Sequence, residues 1–436
     1  MIASATELLR SPRVTAALTT AGAGLIVLSF AVQQTAGWPG YLAALVLLVL
    51  LLAASLIARR DEVDWNWAIL PISLLAYLGW AGISVFWSAY PRVTAASFGY
   101  LLLVTFVGVY IGLSRDTIQI IRSFGDVFRA VLLASIVIET LSGIIFDAPL
   151  EALDIRAQLA VGGPISGLAA DRNQLGLLAA IALATFAIEW RTKAITRSVA
   201  IPSLALAAGT ILFTRSPVVA MVTVALVAAA GALYGIRRLP GARRQFAQYV
   251  VLGALAVGAV FAWLLRGPII AVFNATGELQ FRLELWQRVL DFVPLHWIEG
   301  WGWIGIWNRA VPPYPALLPT EGRPHDSALN ALVDLWLQVG LVGVVLFVAL
   351  VGLAFTRSWL LAGRRRSVVH TWPALVLVAL IVVSVAESSI LTEAGWLLFV
   401  ICCVKASGEL SWRSALRAPS SASDDTGAIR IVGPGR

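Results

Sequence analysis

About a dozen apolar segments, each roughly 18–25 residues long, follow one another along almost the whole chain. An α-helix of that length crosses the hydrocarbon core of a bilayer, which is about 30 Å thick. Apolar residues make up 59% of the chain and charged residues 13%, whereas soluble domains have about 45–50% and about 25%. The sequence therefore predicts an all-α fold, a polytopic bundle of transmembrane helices, and excludes a soluble globular domain.

Hydropathy predicts about 12 spans, with ends set only to within a few residues. They lie near 14–32, 38–58, 66–87, 93–113, 120–146, 173–189, 195–213, 217–236, 246–266, 326–356, 368–388 and 391–407. We expect residues 1–417 to form a single transmembrane domain and the Ser/Gly/Pro-rich residues 418–436 to be a disordered cytoplasmic tail. Two adjacent cysteines and three unpaired histidines predict neither a disulfide framework nor a metal site, and no cofactor.

The distribution of basic residues predicts the orientation of these spans. If both termini are cytoplasmic, 22 of the 32 Lys and Arg residues fall on the cytoplasmic side, and basic and non-basic loops alternate, as the positive-inside rule requires. Two long segments, 147–172 and 267–325, then lie outside. In the second, Leu279, Leu283, Trp286, Leu290 and Val293 form one apolar stripe. This stripe and the following Trp-rich stretch predict interfacial helices with tryptophans at headgroup depth.

The basic residues that remain on the outer side are all arginines. Guanidinium groups bind phosphate oxygens in pairs, which an ammonium group does not, so an outer set of arginines suits an anionic headgroup. Alternatively, these arginines extend to the interface or pair with Glu278, Glu284 and Asp291. The set comprises Arg92, Arg156, Arg172, Arg215, Arg266, Arg282, Arg288, Arg309 and Arg323.

Three positions in the outer segments are the main candidates for chemistry. Arg215 lies in a tight turn between two apolar spans, where Pro217 suits the first turn of the next helix. Arg282 and Arg288 point about 120° apart on a helix, so only one faces a site with Trp286, and we favour Arg282. His325 begins the last long helical segment, and its imidazole could take a proton from a hydroxyl nucleophile. In an alternative interpretation Asp326 or Ser327 caps that helix, and the histidine is incidental; His296 and His370 are interpreted as structural.

Three stretches together resemble the O-antigen ligase/polymerase family over roughly residues 165–360. They are Phe213-Thr214-Arg215-Ser216-Pro217, the stretch from Arg282-Leu283-Glu284-Leu285-Trp286 to Gly300-Trp301-Gly302-Trp303, and His325-Asp326-Ser327-Ala328-Leu329 leading to Gly340-Leu341-Val342-Gly343. Asp171-Arg172-Asn173-Gln174 also looks like a helix start of polymerase-type members. Two departures concern the third stretch: Asp326 stands where Asn is commoner, and the histidine-to-glycine interval is about one helical turn longer. In an alternative register, Asn330 is the residue that aligns with the family's motif.

The resemblance implies a metal-independent glycosyl transfer, with inversion, from an undecaprenyl-diphosphate-linked saccharide to an acceptor hydroxyl. It implies that Arg215 and Arg282 hold the diphosphate and that His325 deprotonates or orients the acceptor. Five further residues are expected to bind substrate: Arg172, Arg288, Trp286, Asp326 and Trp303. The expected partners are the lipid-linked donor, a glycan or glycolipid acceptor and the bilayer, with no nucleic acid. The expected location is the bacterial inner membrane, with the active site facing outward.

Two other functions stay open at this point. One is a membrane glycosyltransferase that uses lipid-phosphate sugars and a carboxylate in its first outer loop, but here that loop, Gln33-Gln34-Thr35-Ala36-Gly37, contains none. The other is a transporter or flippase of lipid-linked glycans, which would use intramembrane carboxylates such as Glu139 and Asp334. Inverted repeats, typical of many transporters, are not visible in the sequence.

Overall fold

The computed structural model describes residues 7, 9–59, 71–240, 243–244, 246–251, 253, 276–317 and 325–409. Within these ranges the regular structure is helical, apart from one isolated antiparallel bridge between Leu150 and Ile155. Most of the predicted span 246–266, together with Arg266, Arg323 and the predicted tail 418–436, lies outside the described residues.

The main helices follow the predicted spans closely wherever the chain is described. They are α1 (Pro12–Val27), α2 (Ser29–Ala58), α3 (Ile72–Ile83), α4 (Pro91–Ser114), α5 (Thr117–Thr140), α6 (Arg172–Arg191), α7 (Arg197–Thr214), α8 (Pro217–Arg238), α9 (Thr276–Phe292), α10 (Tyr314–Leu317), α11 (Ala331–Arg364), α12 (Thr371–Val383) and α13 (Glu393–Glu409). Short 3₁₀ or π turns extend several of them, and α5 continues through a π turn to Ile145.

Seven of the helices in the described ranges are long and apolar enough to cross a membrane, and two shorter apolar helices accompany them. The seven are Ser29–Ala58, Pro91–Ser114, Thr117–Ile145, Arg172–Arg191, Arg197–Thr214, Pro217–Arg238 and Ala331–Arg364. The protein is thus an all-helical, multi-pass membrane protein. The count of about 12 spans and the cytoplasmic location of both termini stay predictions.

Helices α12 and α13 form the centre of the bundle. Helix α13 packs against α4, α11 and α12, while α12 also contacts α6 and α8. The approach of α4 to α13 is close because Gly108 and Gly112, one turn apart, face Val400 and Val404 of α13. A Cβ atom at either glycine would lie 2.8 Å from the facing valine, so small residues allow the two backbones to meet, as they commonly do in membrane bundles.

Helix α11 is broken at Gly340. The backbone of residues 298–302, which precede this helix in the chain, packs into the break. Gly340 has φ +67°, and a Cβ atom there would lie 2.1 Å from the carbonyl oxygen of Ile298. The amides of Trp301 and Gly302 donate to the carbonyls of Leu337 and Gln338 at 2.9 and 2.8 Å. Backbone groups that the break frees are therefore paired, as burial in a membrane protein requires.

This insertion corrects two sequence predictions. Trp303 is 1% exposed in the core beside Tyr77, so this tryptophan does not lie at headgroup depth. In α9 the buried face carries Arg282, Leu285, Val289 and Val293, whereas Leu283 and Leu290 of the predicted stripe are 46% and 42% exposed. The prediction of the stripe was wrong because it assumed a lipid interface, whereas α9 packs against α11 and the loops beside it.

The two ends of the bundle differ in chemistry. At one end, α6, α8, α11 and α13 begin and α7 and α12 end. The opposite end carries the predicted cytoplasmic basic residues, and there the Lys405 amino group donates to the Arg115 carbonyl. There too, Arg237 donates to the Ala362 carbonyl at 3.1 Å. The first end contains the cavity described next.

Candidate active site

A cavity of about 850 Å³ opens among the helix ends opposite the basic residues. Its walls come from the outer part of α2, the 154–178 segment, α9, and residues 305–309, 325–329 and 387–398. Arg172, Arg282, His325 and Asp326 of the predicted site line it. Because these residues lie far apart in sequence, the fold brings three separate outer segments to one polar chamber.

Arg282 lies in the wall because it shares the buried face of α9 with Leu285, Val289 and Val293. Their spacing of three, four and four residues places them on one side of a helix. The guanidinium group is 11% exposed, with Nη2 2.7 Å from Glu387 Oε1 and Nη1 3.5 Å from Glu278 Oε2. Its buried Nε has no hydrogen-bond partner among the described residues. Arg282 therefore keeps one buried N–H without an acceptor in the described protein, which is uncommon for a buried polar group.

The start of α6 supplies the second arginine and joins it to the first. Asp171 caps α6 by accepting hydrogen bonds from the amides of Asn173 and Gln174 at 2.6 and 2.9 Å. Arg172 pairs with Glu278, the carboxylate that also faces Arg282. Arg172 and Arg282 thus share one carboxylate, Glu278, an arrangement that a stronger anion can displace.

A hydrogen-bonded chain connects this group to the Arg215 turn. The Ser216 hydroxyl donates to Asn173 Oδ1 at 2.5 Å, and Asn173 Nδ2 donates to Glu387 Oε1 at 2.6 Å. Ser216 also caps α8 by accepting from the Val219 amide at 3.1 Å, and Pro217 occupies the first turn as expected. The turn that positions Arg215 is thereby coupled to the carboxylate that binds Arg282.

Glu387 is the one member of this network on the connection between α12 and α13. Its burial raises the pKa of the carboxyl group to about 8, and the charge of Asp171 adds to this effect, while Arg282 opposes it. A carboxyl group of this kind can change protonation near neutral pH when the local charge changes. No motif in the sequence singled out Glu387; the only signal was an acidic residue near the end of the predicted span 368–388.

His325 lies in an aromatic setting on the same cavity. Its ring contacts Phe281 and Trp307 edge to face, with centroid distances of 5.4 and 6.0 Å. Phe281 directly precedes Arg282, and Trp307 is fixed by its indole N–H, which donates to Asp334 Oδ1 at 2.8 Å. Nε2 of His325 lies 3.2 Å from the Leu317 carbonyl. Since a carbonyl only accepts, Nε2 carries the proton, and the lone pair of a neutral ring is on Nδ1.

The cap of α11 differs from the predicted alternatives. Asn330 accepts hydrogen bonds from the amides of Leu332 and Val333 at 3.0 and 3.1 Å, so neither Asp326 nor Ser327 is the cap. The helix begins five residues after the predicted boundary. His325 and Asp326 therefore lie in a non-helical, bent segment whose Asp326 carbonyl accepts from the Trp307 amide at 2.8 Å. This segment directs both residues to the cavity wall.

Four of the predicted site residues lie elsewhere. Arg215, with φ +47° at the end of α7, is exposed and rests against Gly162 outside the cavity lining. Arg288 is exposed on α9. The Trp286 indole donates to the Ala328 carbonyl at 2.9 Å, and Trp303 lies in the core. The structure brings Arg172, Arg282, His325 and Asp326 together and separates these four from them.

The two intramembrane carboxylates that suggested transport have partners in the structure. Glu139 accepts hydrogen bonds from the amides of Ser166 and Gly167, both at 2.9 Å. Asp334 accepts from Trp307 and from the Gln338 amide group, at 2.8 and 2.9 Å. Glu139 thus fixes the loop that lines the cavity, and Asp334 fixes the indole beside His325. Among the described residues, His, Cys, Asp and Glu form no group of three or more suited to a metal ion.

Comparison with known proteins finds a similarity to one family over part of the chain. The family model described as O-antigen ligase matches residues 202–348, the region that contains Arg215, Arg282 and His325. No curated protein matches the chain. The match confirms the resemblance stated from the sequence motifs: residues 202–348 of this multi-pass helical protein are similar to the O-antigen ligase family.

Proposed function

We propose that this protein transfers a glycan from undecaprenyl diphosphate to an acceptor hydroxyl group, as a surface-polysaccharide ligase or polymerase. The observation that carries the proposal is the shared cavity, in which a buried arginine with an unpaired N–H and a histidine adjoin within the family domain. An arginine where charge develops and a base near neutrality are what this reaction needs.

On the donor side, the diphosphate would take the place of carboxylates at Arg172 and Arg282, two of the arginines that line the cavity. Arg282 is paired with Glu387 and Glu278, and Arg172 is paired with Glu278. The diphosphate carries more charge than one carboxylate and accepts bidentate hydrogen bonds from guanidinium groups. The donor binds the form in which Glu387 is protonated, which keeps the buried charge balanced. Arg215 adds to the binding of the lipid-proximal phosphate from its turn outside the cavity.

On the acceptor side, His325 would act as the general base. The acceptor hydroxyl oxygen attacks the anomeric carbon, its proton passes to the imidazole nitrogen that bears the lone pair, and the bond between this carbon and the diphosphate oxygen breaks. The electron pair leaves with the diphosphate, whose added charge Arg282 stabilises. Attack opposite the leaving group inverts the anomeric configuration, and the imidazole proton then returns to solvent. No metal ion is required in this scheme.

The proposed site faces the outside of the bacterial inner membrane, with both termini in the cytoplasm. The basic residues at the end of the bundle opposite the cavity support this orientation, because basic loops stay on the cytoplasmic side. The outer-facing cavity then receives the donor after its transport across the membrane.

The test uses purified protein in liposomes with a lipid-linked glycan labelled in its sugar, a candidate acceptor and EDTA. We expect labelled glycan to become attached to the acceptor, undecaprenyl diphosphate to be released, and EDTA to have no effect. Movement of the labelled lipid across the bilayer without a new glycosidic bond would instead support a flippase. A strict requirement for a divalent cation would contradict the metal-independent scheme.

A further inference from the structure

Three carboxamide side chains line the cavity beside Asp154, Arg156 and Glu393, away from Arg172 and Arg282. Gln33 and Gln34 of α2 line it together with Gln158 of the 154–158 segment. We propose that these three carboxamides form a subsite for the hydroxyl groups of the acceptor saccharide. This inference rests on the proposed function, since it assigns the second substrate of the same reaction to particular residues.

The location of Gln33 and Gln34 needs an explanation, because the rest of α2 is apolar. They are the only carboxamides in Ser29–Ala58, which contains no charged residue. Polar side chains at membrane depth are costly and usually face a cavity or a functional partner. Both lie just before Gly37, where φ +73° breaks the helix. The break lies beside the cavity, so the two amides face it instead of lipid.

Gln33 and Gln158 are held in place by neighbouring groups. The Gln33 amide group donates to Glu393 Oε1 at 3.3 Å, at the start of α13. The Gln158 carbonyl accepts from the amides of Val161 and Gly163 at 3.2 and 2.8 Å, and the preceding turn Glu151–Leu153 packs on α2. Two separate segments are thus brought to one wall, and Gln33 and Gln158 are both half-buried there.

The chemistry of carboxamides fits a neutral sugar and not a diphosphate. Each carboxamide offers two donors and an acceptor, which matches hydroxyl groups that both donate and accept. The donor is anchored through its diphosphate at Arg172 and Arg282, and its anomeric carbon must lie next to them. The remaining part of the cavity therefore serves the acceptor. All three glutamines lie outside residues 202–348.

The experiment measures two binding constants on the full-length protein in lipid nanodiscs. One probe is undecaprenyl diphosphate without sugar. The other is surface glycan of the host cell, released by mild acid and labelled with a fluorophore at its reducing end. We expect Gln33→Leu and Gln158→Leu each to weaken glycan binding about tenfold, the loss of one or two hydrogen bonds, and to leave undecaprenyl diphosphate binding unchanged. Arg282→Ala is expected to do the reverse, and Gln287→Leu on the exposed side of α9 is the control.

The two binding constants distinguish a failure of the acceptor subsite from a failure of the proposed function. Undecaprenyl diphosphate binding reports folding of every glutamine variant, and Gln158 lies in a loop, so its replacement tests the subsite even if α2 tolerates no change. Unaltered glycan affinity in both glutamine variants, or an equal loss of affinity for both probes, would overturn the acceptor subsite. If wild-type protein does not bind undecaprenyl diphosphate, or Arg282→Ala does not weaken it, the proposed function fails whatever the glutamines do.

Discussion

Replacing Glu387 by glutamine is expected to remove a pH dependence from donor binding. Glu387 Oε1 accepts hydrogen bonds from Arg282 Nη2 and Asn173 Nδ2 at 2.7 and 2.6 Å. A glutamine oxygen can accept both bonds but cannot ionise. In the wild type the ionised carboxylate of Glu387 competes with the diphosphate for Arg282. The donor therefore binds the form of the protein in which Glu387 is protonated. Since burial raises the pKa of Glu387 to about 8, the competition develops as the pH rises through that value.

The expected magnitude follows from this pKa. The protonated fraction of Glu387 falls from about 0.9 at pH 7 to about 0.1 at pH 9, so the donor KM of the wild type should rise about tenfold over this range. The Glu387→Gln variant should show a nearly constant donor KM. The direction of this pH dependence follows from the pKa of Glu387, which is raised above the usual 4.5. Protonated Glu387 favours donor binding, and this contribution to donor binding is lost as the pH increases.

The assay is glycan transfer at varied donor concentration between pH 6.5 and 9, with kcat and KM determined separately. Glu284→Gln, an exposed carboxylate on α9, is the matched control and should follow the wild type. A wild-type KM that stays constant between pH 7 and 9 would refute the competition. So would a Glu387→Gln variant with the same slope as the wild type.

Two further predictions concern the parts of the fold that hold the cavity. Gly340→Ala should destabilise the protein by at least about 2 kcal/mol, because the residue has φ +67° and a Cβ atom would meet the Ile298 carbonyl. Thermal unfolding in detergent measures this, with Gly352→Ala, which has open space around it, as the control; equal melting temperatures would contradict the prediction. Glu139→Ala should cost about 2 kcal/mol or more by leaving the Ser166 and Gly167 amides unpaired, and should reduce transfer because the cavity loop loses its anchor. Glu139→Gln, which keeps an acceptor, should retain most of the transfer, and identical activity of the alanine and glutamine variants would show that the anchor is unnecessary.

The positions of the helices could be predicted from the sequence because a bilayer imposes one length and one polarity on every span. The turn at Arg215 was predicted for the same reason, since two apolar segments left no room for a loop. The predicted boundary between the first two spans ends at Gly37, where the structure has a break within α2, but the break at Gly340 was not predicted. Hydropathy averages over a whole span, and a break depends on which backbone enters it from elsewhere in the chain.

The candidate site was predicted only in part, because its residues are joined by contacts across long sequence distances. The choice of Arg282 over Arg288 relied on local charge, and only Arg282 lies in the cavity wall. The partner of Arg282, Glu387, is 105 residues away, and local patterns contain no information about such a pair. Trp303 was selected by residue type, but its environment is set by the broken helix α11, which encloses it in the core.

The most direct test of the account compares glycan transfer in membranes by wild type, Arg282→Ala, Arg282→Lys and His325→Ala at matched expression. Gln287→Ala on the exposed side of α9 is the control. We expect product formation to fall about 10²-fold or more in both alanine variants. Arg282→Lys should stay well below the wild type because an ammonium group cannot bind the diphosphate in a bidentate manner. If Arg282→Ala and His325→Ala insert normally and transfer glycan as well as the wild type, this cavity is not the active site.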